Sequence, residues 1–195
     1  MPLSRIKLDK GTGTVPASNL SLSAADMPTG SIVQTVWEHI TDAASYSTTS
    51  GGPLQSTAMT ANITPTSSSN KILVQMFGSW GAQNNAQHAT QQVVRTVGST
   101  DTTLDLATNK GNRRGSTGHF GAQESYTNAP NDYGLWPNIV WYLDSPATTS
   151  QVTYTLKVAP YNTGTFYFNR THQDRNTSTY DPRSTSFVCL MEVVA

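Results

Sequence analysis

The sequence has little charge, a single cysteine and no long apolar segment. Lys, Arg, Asp and Glu make up 12% of the 195 residues, about half the usual share, and 12 positive side chains balance 12 negative ones. No segment concentrates either sign, so we expect neither a nucleic-acid-binding surface nor an acidic disordered tail. About 50 serines and threonines, with 13 asparagines and 10 glutamines, replace the missing charge.

The single cysteine and the lack of long apolar segments also exclude several kinds of site and of targeting segment. The lone Cys189 excludes an intrachain disulfide framework and any site that needs several cysteines. No apolar run approaches the roughly 18 residues of a membrane span, and residues 1–13 lack the apolar stretch of a secretion signal. We therefore expect no cofactor, no membrane insertion, no Sec-type secretion, and release from a cell by lysis.

Short alternating segments predict strands and no helices. Val152, Tyr154, Leu156 and Val158 alternate with polar residues, which is typical of a strand with one face in a core. Turn residues separate the other predicted strands, at residues 31–40, 54–64, 71–80, 88–97, 117–126, 138–143, 164–169 and 184–194. The pattern predicts an all-β protein, an antiparallel β-sandwich that is jelly-roll-like.

Two strands are apolar on both faces. Ile72 and Val74 alternate with Leu73 and Phe77, and the last strand, with Phe187 and Met191, shows the same pattern. A sandwich strand with one solvated face should not look like this. We predict a subunit interface at Ile72, Val74, Phe187 and Met191; the alternative is central strands under long loops.

Residues 1–30 differ from the single domain predicted at residues 31–195. Arg5, Ile6 and Leu8 belong to a brief alternation, after which Gly, Thr, Ser, Ala and Pro dominate. Such a segment cannot bury enough apolar surface to fold alone. We predict an extended N-terminal arm that pairs with a neighbouring protein by strand addition, the alternative being a frayed terminus.

Catalytic motifs are absent. There is no G-x-S-x-G elbow, nucleotide-binding loop or H-E-x-x-H motif, and the four histidines are far apart in sequence. Asp101 and Asp105 could act as a glycosidase pair only if held about 5–10 Å apart across a sugar. His172, Asp174 and Asp181 could hold a cation, although a solvated loop explains them better. We expect a protein without enzymatic activity.

Two loops are candidate contact sites. Tyr133 and Trp136 stand among Asn, Asp, Gly and Pro, and their rings could stack on sugar faces or contact a protein. Arg113 and Arg114 lie in the most charged loop, at residues 109–115. Trp141 and Phe166 are assigned to the core.

Three stretches resemble a known family. Residues 59–75, MTANITPTSSSNKILVQ, resemble the signature of small β-rich tail fibre proteins of tailed phages, particularly marine and cyanobacterial ones. The opening strand after Gly30 is similar to theirs. The third stretch is the tail, in two parts that begin at Phe168 and at Ser186, the latter containing Leu-Met-Glu-Val. The similarity spans residues 30–195, although residues 85–145 match nothing.

The resemblance implies a non-enzymatic virion component that forms a homotrimer and whose N-terminal arm docks onto other virion proteins. A tail-fibre-like protein that exposes loops for host attachment is the first reading, and a capsid decoration or head-fibre protein is the second. A stand-alone carbohydrate-binding module and a polysaccharide-degrading enzyme are the alternatives from other classes.

Overall fold

The computed structural model describes residues 26–49, 51–82, 88–104, 111–121, 134–160 and 163–195. Within these ranges the chain forms eleven strands and no α-helix. The strands are β1 (Ile32–Ile40), β2 (Ala44–Thr48), β3 (Gln55–Ile63), β4 (Lys71–Ala82), β5 (His88–Val97), β6 (Thr100–Leu104), β7 (Gly118–Gly121), β8 (Trp136–Asp144), β9 (Val152–Pro160), β10 (Gly164–Phe168) and β11 (Ser186–Val193).

The strands form two antiparallel sheets. In sheet A, β4 pairs with β8 on one side and with β11 and then β10 on the other, while β1 and β2 continue outward from β11 and β10. In sheet B the order is β3-β9-β5-β6, and β7 also pairs with β5. The paths β1-β11-β4-β8 and β3-β9-β5-β6 are those of an eight-stranded jelly roll, so the predicted fold is confirmed.

The core lies between the sheets. Val152, Tyr154, Leu156 and Val158 are at most 1% exposed, which confirms the predicted inner face of β9. Trp80, Phe166 and Phe168 fill the same core from sheet A. Nine of the eleven strands overlap predicted segments; β2 and β6 were missed, because β2 is short and polar and β6 was interpreted as part of a turn.

The assignment of Ile72 and Val74 to a subunit interface is wrong. Both side chains are fully buried in the core between the sheets. Because neighbouring side chains on a strand point to opposite faces, the outward positions of β4 are Leu73, Gln75 and Phe77. Phe187 and Met191 do lie on the outer side of sheet A, and their place in an interface stays a prediction.

Two segments that carry the family resemblance meet at Glu192. This side chain is fully buried, and its Oε1 accepts hydrogen bonds from the Thr66 amide (2.7 Å), the Thr66 hydroxyl (2.8 Å) and Asn70 Nδ2 (2.8 Å). With its amide nitrogen turned inward, Gln34 donates to Glu192 Oε2 at 3.2 Å. The carboxylate therefore joins the β3–β4 turn to β11 and β1.

The other part of the tail, which begins at Phe168, contains a second buried set of connecting hydrogen bonds, at Asn169. Its backbone has a positive φ of 56°, and its side chain donates to the carbonyls of Ile40 (2.9 Å) and Asp42 (3.0 Å). Its Oδ1 accepts a hydrogen bond from Ser186 (2.6 Å). The residues that resemble the family thus connect strands within the fold.

An ion pair joins the two sheets. Asp144, at the end of β8, accepts hydrogen bonds from Arg95 of β5 at 2.8 and 2.9 Å, and from the hydroxyl of Tyr154 in β9 at 2.7 Å. Burial and the Asp144 carboxylate both raise the pKa of Tyr154, so its hydroxyl stays protonated. Each charged group has a partner, as buried charges require.

Candidate functional site

Among the residues that the structure describes, none covers the apolar surface on the outer face of sheet A. Five of the six large hydrophobic residues described as exposed lie on it: Ile32 and Trp37 of β1, and Ile139, Trp141 and Leu143 of β8. Between these edges lie the outward side chains of β4 and β11. We call this surface the apolar face, and it comprises Ile32, Trp37, Leu73, Phe77, Ile139, Trp141, Leu143, Phe187, Cys189 and Met191.

Strand register arranges the apolar face in rows that run across the sheet. Trp37 is opposite Cys189, which is opposite Gln75, which is opposite Trp141. In the adjacent row, the Phe187 ring stacks on Phe77 at 5.4 Å between centroids, and on the Trp37 ring at 4.5 Å. The stacks keep the aromatic groups at fixed positions, which suits a contact surface.

The other end of the same sheet face is covered by residues 169–185. A Cβ at Gly81 would lie 2.5 Å from the Arg170 carbonyl oxygen, and the Ser184 hydroxyl donates to Ser79 at 3.0 Å. The Arg170 guanidinium lies 4.3 Å from the centre of the Tyr167 ring. Residues 169–185 therefore cover one end of the outer face of sheet A, and the apolar face is the other end.

Ion pairs hold the covering segment together. Arg183 pairs with Asp174 at 2.6 Å, and Arg175 pairs with Asp181 at 2.6 Å. Asp181 also accepts a hydrogen bond from Thr171 at 2.7 Å. Both carboxylates that could have held a cation with His172 are thus paired with arginines.

Acid should weaken this segment. Burial raises the pKa of Asp181, but the hydrogen bonds and charge of Arg175, with the Thr171 hydrogen bond, outweigh it and leave the pKa below its usual value near 4. The lowered pKa in the folded state means that the contribution of Asp181 is complete above about pH 4 and is lost as the pH falls through the folded pKa. Thermal unfolding of wild type and Asp181→Asn between pH 6 and 2 should give midpoints that converge at low pH. A constant difference would contradict this role.

Cys189 lies in the middle of the apolar face and is fully buried by its neighbours. Burial raises the pKa of its thiol, so the group is a poor thiolate at neutral pH. The cysteine packs as a small hydrophobic residue, as the apolar sequence around it predicts.

The predicted contact loops are only partly described. Tyr133 lies outside the described residues, as do Arg5, Ile6 and Leu8 of the predicted arm. Trp136 is half-buried in strand β8, where it packs against the core, so its placement in a loop is wrong. Its role in glycan contact stays a prediction.

The two predicted arginines are exposed. Arg114 donates to the carbonyls of Gly51 (3.1 Å) and Gly52 (2.8 Å), which joins the 111–115 turn to the 51–52 turn. These contacts leave the Arg113 and Arg114 side chains at the surface, where a ligand could reach them.

Sequence analysis missed three features of the site. Trp141, assigned to the core, is 62% exposed on the apolar face. The rings of His88 and His119 stack at 5.7 Å although the residues are far apart in sequence, and burial together with the charge of His88 lowers the pKa of His119. Asp101 pairs with Lys157 at 3.0 Å, and Asp105 lies outside the described residues.

The described ranges hold no cluster of three or more His, Cys, Asp or Glu side chains placed to bind a metal ion. They also hold no helix of the length and hydropathy that a membrane crossing requires.

Comparison with known proteins finds only weak structural similarity. No protein-family model matches the sequence, and no curated protein matches it. One similar solved structure, of the infectious bursal disease virus Gx strain, is 11% identical with a TM-score of 0.36, over 84% of this chain and 43% of that chain. Another, the infectious bursal disease virus VP2 subviral particle, is 10% identical with a TM-score of 0.34, over 84% and 42%.

This chain therefore spans less than half the length of either viral chain. Similarity at this level assigns neither kinship nor function. The jelly-roll assignment rests on the strand order alone.

Proposed function

We propose that the chain is a non-enzymatic structural protein of a phage virion surface. In this proposal it is tail-fibre-like and forms a homotrimer through the apolar face. The N-terminal arm, residues 1–30, anchors it to other virion proteins, and its loops are exposed for contact with a host surface or glycan. The observation that supports assembly is the apolar face, on which five large side chains are each more than half exposed.

The cost of leaving this face in water supports the same proposal. Four strands about 4.8 Å apart, each with three outward residues about 6.7 Å apart, give an area of roughly 400 Å². At about 25 cal/mol per Å², covering it would stabilise each copy by roughly 10 kcal/mol before the costs of association. Large exposed apolar patches commonly mark contact sites.

The family resemblance supports the virion assignment. Its residues include the joints at Glu192, Thr66 and Asn169, which hold strands of the sandwich together. A family that shares these residues would share the fold, while the contact loops could vary.

Deleting residues 1–25 tests the anchor. The truncation keeps the root of the arm, where the Gly30 amide donates to the Val194 carbonyl and the Val194 amide donates to Ser31, each at 2.8–2.9 Å. We expect the truncated protein to remain trimeric by sedimentation but to be missing from purified particles. Normal loading of the truncated protein into particles would exclude the arm as the anchor.

A glycan array tests the surface loops. Arg113→Ala is the informative variant, because Arg113 is exposed, whereas Trp136 packs on the core and its loss would disturb the fold. If the loop contacts a sugar, wild type should retain a host glycan and Arg113→Ala should retain it at least about tenfold less. Ser56→Ala, exposed on β3, is the control. An array on which wild type binds nothing would restrict the protein to assembly.

A further inference from the structure

We propose that neighbouring copies meet head to tail, with the β8 edge of one apolar face packed against the β1 edge of the next. This inference rests on the proposed trimer and names its contact. The β8 edge is Ile139, Trp141 and Leu143, and the β1 edge is Ile32 and Trp37. The occupant of the apolar face is thus a second copy of this chain.

The symmetry of a trimer requires that each copy present two different contact surfaces. A ring of three identical subunits uses two different surfaces of each copy at every contact, whereas a twofold dimer can use one surface paired with itself. The exposed side chains of the apolar face fall into two separate groups at opposite edges of sheet A, with the partly shielded Phe187, Met191 and Leu73 between them. The face therefore offers two different surfaces.

The edge strands also differ in how they are protected from pairing with other chains. Natural edge strands are commonly guarded by charged residues or kept short. The β1 edge has Glu38 and His39 exposed, and the edge strand β6 is five residues long and includes the exposed Asp101. Strand β8 has nine residues, and its one charged side chain, Asp144, is buried and paired with Arg95. Pro137 guards only the start of β8, and among the described residues the stretch from Ile139 to Leu143 has no exposed charge or proline, which fits an edge that a partner covers.

Area favours the edge contact over stacking of two faces. Two faces stacked on each other would bury roughly 400 Å² per copy, or about 800 Å² in total, below the roughly 1,000 Å² expected of a specific interface. An edge contact takes half of each face, about 200 Å², and adds the side of the sandwich. That side is about 10 Å deep and about 30 Å long, or about 300 Å² per partner. Each contact then buries about 1,000 Å², and each copy makes two.

The residue types fit a contact of this kind. Tryptophan is enriched among the side chains that dominate binding energy, and one tryptophan stands on each edge. Trp37 is 57% exposed and is held by its stack on Phe187, while Trp141 is 62% exposed. Each edge therefore presents one large ring to its neighbour.

Mixing two variants tests which edges meet. Trp37→Lys removes the β1 edge and Trp141→Lys removes the β8 edge, and each change is at an exposed position. Wild type at micromolar concentration should sediment as three chains, and each variant alone as one. A 1:1 mixture should form a species of two chains, because the Trp37→Lys copy keeps a β8 edge that fits the intact β1 edge of the Trp141→Lys copy.

Controls separate the possible failures. Ile32→Lys and Ile139→Lys should repeat the result at the two edges, and Ser56→Lys on sheet B should remain a trimer. If wild type is trimeric and the mixture stays monomeric, the head-to-tail contact of these edges is wrong while the proposed function stands. A wild-type dimer would also overturn the contact. A folded wild-type monomer would refute the proposed assembly itself.

Discussion

Replacing Asp144 with alanine should lower the free energy of unfolding by about 3–5 kcal/mol. Asp144 accepts two hydrogen bonds from Arg95 and one from Tyr154, and its removal leaves a guanidinium that is largely buried without its charge partner. Removing one member of a buried ion pair typically has an effect of this size. Urea unfolding monitored by tryptophan fluorescence measures it.

The matched control is the exposed ion pair between Asp101 and Lys157, whose nitrogen and oxygen are 3.0 Å apart. Asp101→Ala should leave the free energy of unfolding nearly unchanged, since solvent screens exposed pairs. Equal effects of Asp144→Ala and Asp101→Ala would show that the inter-sheet pair has no special role.

Replacing Glu192 with alanine should destabilise the fold by about 3 kcal/mol or more. Three donors converge on its Oε1, and without the carboxylate the Thr66 amide and hydroxyl lose their acceptor, while Asn70 Nδ2 keeps only a long contact of 3.4 Å to the Thr66 hydroxyl. Each unsatisfied buried donor costs about 1–3 kcal/mol. The same urea titration provides the measurement.

Glu192→Gln separates hydrogen bonding from charge. Glutamine keeps an oxygen for the three donors, so we expect a loss of only about 1–2 kcal/mol. Ser67→Ala, in the exposed part of the same turn, should change stability by less than about 0.5 kcal/mol. If Glu192→Gln is as damaging as Glu192→Ala, the negative charge and not the oxygen acceptor is what the turn requires.

The fold could be predicted because local signals agree with the tertiary structure in most strands. In β9, Val152, Tyr154, Leu156 and Val158 alternate with polar residues, so the buried face is evident from the sequence. The β5–β6 hairpin also had a signal, since Gly98-Ser99 is a two-residue turn with Gly98 at a φ of 59°. That signal was overlooked, and β6 was missed with it.

The faces of β4 could not be predicted, because a strand that is apolar on both sides has no polar side to mark. Ile72 and Leu73 are equally hydrophobic, yet Ile72 lies in the core and Leu73 lies on the outer face. Only the position of sheet B, which covers one side, decides between them. The same ambiguity affects β8, where Val140 is buried and Trp141 is exposed.

The contacts between distant segments, such as the hydrogen bonds of Glu192, could not be predicted for a different reason. Glu192 stands in an apolar strand more than 120 residues from Thr66, and nothing in the local pattern indicates that the two meet. The stack of His88 and His119 likewise depends on the pairing of β5 with β7. Contacts between distant segments follow from topology, which the alternation of residues does not specify.

The central claim, that sister copies cover the apolar face, can be tested directly by hydroxyl-radical footprinting with mass spectrometry. Trp37 should oxidise at least about fivefold more slowly in wild type than in Trp141→Lys, because the variant loses the neighbouring copy. Tyr180, which is 55% exposed and belongs to the segment at residues 169–185 and not to the apolar face, should oxidise at the same rate in both and serves as the internal control. Equal oxidation of Trp37 in the two proteins, with wild type sedimenting as a single 21.0 kDa chain, would contradict the account.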